Sequence, residues 1–181
     1  MNQSCPHRRK VLVDASSAIL LFKADLFEPL INTYAVQMAA SVFTEVTRKG
    51  YAGAEFFSLC RDRLKIRVIA RISTPHGNSM ANTKLPGHLG PGERDTILLF
   101  GRGAGDFIII DDGRGAAWCR DHKIPYINAL LFPRILQAGN ILGKETCYGL
   151  MSRIVGIGRY STRIIAYARS CDARHLQFFL P

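Results

Sequence analysis

The chain has 181 residues, 48 % hydrophobic and 21 % charged, close to average globular usage, so it can bury a core as one domain and is not a disordered tail. Lys and Arg number 24 against 14 Asp and Glu, and the resulting charge of +10 favours polyanionic partners, nucleic acid first. No run of apolar residues is long enough for a membrane-spanning helix, so no membrane role is expected.

The opening MNQSCPHRRK followed by VLVDASSAILLF imitates a secretory leader, but Asp14 interrupts the apolar stretch and no small-x-small cleavage site follows. It is read as mature protein. Lys10 to Val13 is a predicted strand ending at an acid, and Ser16 to Phe27 carries Ile19, Leu20, Phe22 and Leu26 at near-helical spacing. Tyr34 to Met38 reads as a second strand and Ala40 to Arg48 as a helix, with Ser41 as its N-cap and Gly50 closing it. Ala54 to Arg63 is a helical window, and Ile66 to Ala70 a third strand. Arg71 to Gly90 is rich in Pro, Gly and Asn and reads as loop.

Pro91 opens a helix predicted to end near Gly101. Phe107 to Ile110 is a continuous apolar run, as expected of a strand buried on both faces, and it ends in Asp111 and Asp112. Gly115 to His122 is helical, Pro125 to Ile127 a short strand, and Leu130 to Ala138 a helix with Pro133 in its first turn. Residues 143–181 read as two further helices carrying Arg153, Arg159, Arg163, Arg169 and Arg174. GRGAGD at Gly101 follows a helix instead of a strand, and GIGRYS at Gly156 lacks a third glycine, so both read as turns and not as dinucleotide-binding loops.

Strands alternating with helices imply a parallel α/β sheet with helices on both faces, whose functional groups gather beyond the carboxyl ends of the strands. The acids Asp14, Glu45, Glu93, Asp95, Asp111 and Asp112 fall at strand ends or helix starts. Each has a structural alternative: Asp14 and Asp112 can cap helices, Glu93 and Asp95 suit a helix's first turn, and Glu45 can pair with Lys49. Together they suggest one crowded pocket. Ionised carboxylates at close range repel unless neutralised, and an all-oxygen set suits Mg²⁺ or Mn²⁺, ions that assist phosphodiester cleavage. Ser16, two residues after Asp14, can hydrogen-bond that acid or a metal-bound water, or can serve as an ordinary cap. His7, His76, His88 and His122 lack ligand spacing and are expected at the surface. The five cysteines, Cys5, Cys60, Cys119, Cys147 and Cys171, form no C-x-x-C pair, so neither disulfides nor zinc are expected and a reducing cytoplasm is the expected compartment.

The segments VLVDASSAI, FTEV, LGPGERDTILL and FIIIDDGRGAAWCRDHKIP with its continuation INALLFPRILQAGNI, in this order from Val11 to Ile141, resemble the PIN-domain superfamily of metal-dependent nucleases. The likeness is particularly to a VapC-like branch with a glycine-glutamate before the third acid and a double aspartate at the fourth. The resemblance implies a three-layer α/β/α sandwich over residues 1–142 with a helical C-terminal extension, 143–181, packed on the same domain. It implies Asp14, Glu45, Asp95 and Asp112 as catalytic metal-binding acids, with Asp111 as the alternative to Asp112 in the fourth place, Glu93 as an extra acid among the metal ligands, and Ser16 in support. It implies one or two Mg²⁺ or Mn²⁺ ions and hydrolysis of RNA by a metal-activated water. It also implies a cognate antitoxin protein and a homodimer. The chain is longer than typical VapC-type toxins. A haloacid-dehalogenase phosphatase also places Asp after its first strand, but that motif wants a second Asp where Ser16 stands. A binding module that kept the fold without chemistry is the alternative from another class.

Overall fold

The computed structural model describes residues 8–70 and 85–181. Five parallel strands, β1 (Lys10–Val13), β2 (Ala35–Ala39), β3 (Ile66–Ile69), β4 (Phe107–Ile109) and β5 (Tyr126–Ile127), form one sheet in the order β3-β2-β1-β4-β5. Val11 stands opposite Val36 on one side and Phe107 on the other. The central strands are apolar throughout because both their faces are covered: Val11, Leu12, Val13, Phe107, Ile108 and Ile109 are all fully buried.

Parallel neighbours require crossovers, and the connections supply helices. Those helices are α1 (Ala15–Lys23), α2 (Phe27–Thr33), α3 (Ala40–Val46), α4 (Ala54–Asp62), α5 (Pro91–Gly101), α6 (Gly113–Asp121) and α7 (Phe132–Ala138). Three more follow: α8 (Lys144–Ile157), α9 (Thr162–Ser170) and α10 (Ala173–Leu176). With right-handed crossovers this strand order sends the connections to β2 and β3 over one face and the return to β4 over the other, which is compatible with a three-layer α/β/α fold. Phe22, Phe27, Phe56 and Phe57 join α1, α2 and α4, with Phe27 and Phe57 edge to face at 4.9 Å.

The chain leaves β1 in one direction along the sheet and reaches β4 on its other side, so β1 and β4 flank the topological switch point. Asp14 follows β1 directly, and its backbone N–H still donates to the Ile109 carbonyl of β4 at 3.1 Å. Asp111 and Asp112 follow the end of β4. Local geometry therefore carries the three aspartates to the same crevice.

Several predicted boundaries need correction. The helix expected over Ser16 to Phe27 is two, because Asp25 adopts φ 58 and Leu26 N–H bonds back to the Leu21 carbonyl, closing α1. Ser41 does not cap α3: Ala39 holds that position without a side-chain bond, since the helix continues straight from β2, and the buried Ser41 Oγ has no hydrogen-bond partner among the described residues. α6 starts two residues before its predicted start, because Asp112 caps it. A 3-10 turn at Ala129–Leu131 precedes α7. Residues 143–181 form three α-helices and a 3-10 turn, Gln177–Phe179, instead of two helices. The predicted loop falls largely on 71–84, which lies outside the described residues, as do His7, His76 and Cys5. His88 and His122 are exposed, and the four described cysteines are free and buried.

Candidate functional site

Asp14 is only 2 % exposed and caps α1: its Oδ1 accepts the Ser17 N–H at 2.8 Å. Its Oδ2 accepts the Ser16 hydroxyl at 2.7 Å. The same side chain thus caps α1 and stands at the end of β1. Burial, and after it the negative charge of Asp111, push its pKa up to about 7, against the lowering effect of the serine bonds.

Asp111 faces Asp14 across Ser17. Its Oδ2 accepts the Ser17 hydroxyl at 2.8 Å and the Ala129 N–H at 2.9 Å, and its Oδ1 accepts the Tyr160 hydroxyl. Burial raises its pKa in spite of those three donors. Ser17 therefore bonds both acids, by its N–H to Asp14 and by its hydroxyl to Asp111.

Asp112 is the N-cap of α6, with Oδ1 accepting Arg114 N–H at 2.8 Å and Gly115 N–H at 3.4 Å. The exposed Arg114 guanidinium stands 3.8 Å from the same oxygen. On its other side Asp112 lies beside Glu93 in the first turn of α5. Burial first, then the nearby Asp112 charge, raise the Glu93 pKa against the lowering effect of the Gly90 N–H. Glu93 Oε2 also accepts the Gly90 N–H at 3.0 Å, the side-chain half of a capping box.

Glu45 is exposed on α3, yet its Oε2 lies 3.6 Å from where a Cβ on Gly92 would stand. Gly92, the residue before Glu93, lets α3 and α5 approach this closely. Asp95 is half-buried on α5 and has interactions of its own. Two residues along a helix amount to about 200° of rotation, so Glu93 and Asp95 point away from each other. By contact it is Glu93 that meets Asp112.

Of the acids, Asp111 and Asp112 line a cavity of about 260 Å³, together with Ser16, Leu20, Arg159 and Tyr160. Arg159 and Tyr160 come from the turn between α8 and α9, and sequence reasoning missed their place at the site. Nothing in the sequence marks Tyr160, 49 residues from its partner Asp111. Ser17 was readable in principle, as the third residue after an N-cap aspartate.

Among the described residues, no group of three or more His, Cys, Asp and Glu side chains is placed to hold a metal ion as it stands. The acids form two pairs, Asp14 with Asp111 and Glu93 with Asp112, each held by donors of the protein. The donor chemistry fits a hard divalent cation: the groups are all oxygen, and burial above all raises three of the carboxyl pKa values. Compared with protein-family models and with curated proteins, the chain matches none of either.

Proposed function

We propose that this chain is a PIN-like, Mg²⁺- or Mn²⁺-dependent endoribonuclease that hydrolyses RNA phosphodiester bonds. The single observation that carries this reading is the placing of two acid pairs, Asp14 with Asp111 and Glu93 with Asp112, beside the switch point of a parallel sheet, in a protein of net charge +10. A purely structural set of caps has no need to bring raised-pKa carboxyl groups from β1, β4 and α5 into one crevice. Asp14, Asp111, Asp112 and Glu93 would hold the cation, with Glu45 and Asp95 on the adjoining helices. When bound, such an ion lowers the pKa of water to make a nucleophile and offsets charge on the phosphate.

The protein's own groups have definable tasks in this reading. Ser16 and Ser17 fix the two oxygens of Asp14, so that its carboxylate is oriented before substrate arrives. The basic surface attracts the polyanion and raises its local concentration at an acidic crevice that would otherwise repel it. The resemblance to VapC-type proteins extends the proposal to a protein antitoxin and a homodimer, for which light scattering of the purified chain is the direct test.

A labelled pool of RNA and single-stranded DNA, incubated with protein in Mn²⁺ or EDTA, tests the reading beside Asp14→Asn and Asp112→Asn. Expected is RNA cleavage that needs the metal and falls by more than about 100-fold in both variants, beyond the cost of losing a residue that only supports a ligand. Cleavage that persists in EDTA would refute it. The second reading is a binding module without chemistry, favoured by the fact that no three described acids converge as they stand. It expects salt-sensitive RNA binding and no cleavage in Mn²⁺.

A further inference from the structure

Residues 143–181 contribute two side chains to the acid crevice. α8 ends at Ile157 and α9 begins at Thr162, so Gly158, Arg159, Tyr160 and Ser161 make the whole connection. Its geometry is tightly specified. A Cβ on Gly158 would stand 2.5 Å from the Tyr160 ring and 3.0 Å from the Ile154 carbonyl, so only glycine lets the ring fold back here. Ser161 caps α9 through its hydroxyl and fixes the far side of the turn. Between these anchors the Tyr160 hydroxyl donates to Asp111.

Arg159 is thereby carried to the rim of the cavity bounded by Ser16, Asp111 and Asp112. The other arginine beside these acids, Arg114, already stands at Asp112. Arg159 is exposed and, among the described residues, makes no hydrogen bond or ion pair. A guanidinium offers five donors in a planar fork that matches a phosphate, and here it borders a cavity whose acids, Asp111 and Asp112, repel one.

Resting on the nuclease reading, we propose that Arg159 is a substrate-binding residue that holds an RNA phosphate over the acid crevice, and that Tyr160 is the positioning residue that keeps it there. The extension is on this view part of the substrate site and not only packing.

The test uses the full chain and a short labelled single-stranded RNA of mixed sequence. Steady-state cleavage in Mn²⁺ gives KM and kcat, and anisotropy in EDTA over a range of salt gives affinity and its salt slope. Arg159→Ala is expected to raise KM about tenfold with little change in kcat, and to lower the salt slope by about 0.7, the value of one phosphate contact on a single strand. Arg159→Lys restores the slope with only part of the affinity. Arg163→Ala, which removes an exposed charge on α9, leaves KM near wild type. Tyr160→Phe raises KM less than Arg159→Ala does, and the double variant is no worse than Arg159→Ala alone, because both act through one contact. If Arg159→Ala keeps wild-type KM and slope while Asp14→Asn abolishes cleavage, the inference falls and the nuclease reading stands. Additive effects in the double variant overturn the role of Tyr160. If the wild type binds RNA without cleaving it, the nuclease reading falls and the slope of Arg159→Ala alone decides the inference. Failure to bind RNA at all overturns both.

Discussion

Asp14 shows how one residue can serve the fold and strain it. Its folded pKa of about 7 lies above the 3.8 of an ordinary aspartate. Between those values the folded metal-free protein keeps a proton that the unfolded chain has released, so the stability this group contributes is complete below about pH 4. It falls as pH rises toward 7 and stays low beyond, a loss on the order of a few kcal/mol. Asn keeps the capping oxygen and has no charge to bury. Asp14→Asn is therefore expected to melt several degrees above the metal-free wild type at pH 8 and level with it at pH 4. Equal melting temperatures at pH 8 would sink this account. The pairing of Ser16 with Asp14 was legible because spacing alone decides it. The choice between Asp111 and Asp112 was not, since it depends on partners such as Ala129 and Tyr160 that only tertiary packing brings near.

Among helices and strands, the parallel sheet was the most legible feature. Lys10–Val13 and Pro91–Gly101 begin and end where the sequence places them, because an apolar run closed by an acid and a proline after Gly90 are strong local signals. Helix ends were harder. α1, α4, α6 and α7 each close with a residue at positive φ, namely Asp25, Leu64, Lys123 and Asn140. In each case the next N–H bonds back to the carbonyl five residues before it: Leu26 to Leu21, Lys65 to Cys60, Ile124 to Cys119 and Ile141 to Leu136. None of the four is glycine, the usual occupant, so the break between α1 and α2 carried no signal. Leu64 is 90 % exposed and gives no packing in return for its left-handed backbone. Leu64→Gly is expected to gain up to about 1 kcal/mol, relief of strain partly offset by glycine's entropy, or about 2 to 4 °C in Tm. A lower Tm would refute it. The opposite holds at Gly115, where a Cβ would stand 2.4 Å from Ile110 Cδ1, a side chain with no exposed surface to move into. Gly115→Ala is expected to cost about 1 to 3 kcal/mol in a thermal melt and to displace the start of α6, and Asp112 with it. At Gly113, where nothing lies within 4 Å, Ala should be harmless.

Over the whole molecule, the last 39 residues are fastened along the rest of the chain. Cys147, Met151 and Ile154 of α8 and Leu176 of α10 are buried in the common core. The Tyr34 hydroxyl donates to the Phe179 carbonyl, Arg9 reaches the Leu180 carbonyl at 3.2 Å, and the Phe179 ring meets Phe107 of the central strand β4 edge to face at 5.2 Å. Arg134 of α7 donates to the Cys171 carbonyl at 2.8 Å. These bonds close the structure over residues far apart in the chain, so a protein ending at Leu142 would expose Phe107, Phe132 and Leu136 faces that are now dry. An exposed apolar area of that kind favours aggregation over a smaller stable fold. Truncation after Leu142 is expected to yield insoluble protein, or a chain without a cooperative melt. Phe179→Ala in the full chain should keep the cooperative melt, with a lower Tm and a stability loss of up to about 3 kcal/mol, the low end for a buried aromatic ring because Phe179 is only half-buried. A truncated chain that melted cooperatively at the wild-type temperature would show that the crevice at Asp14 and Asp111 is complete without Tyr160. The extension would then be an appendage and not a wall of the site.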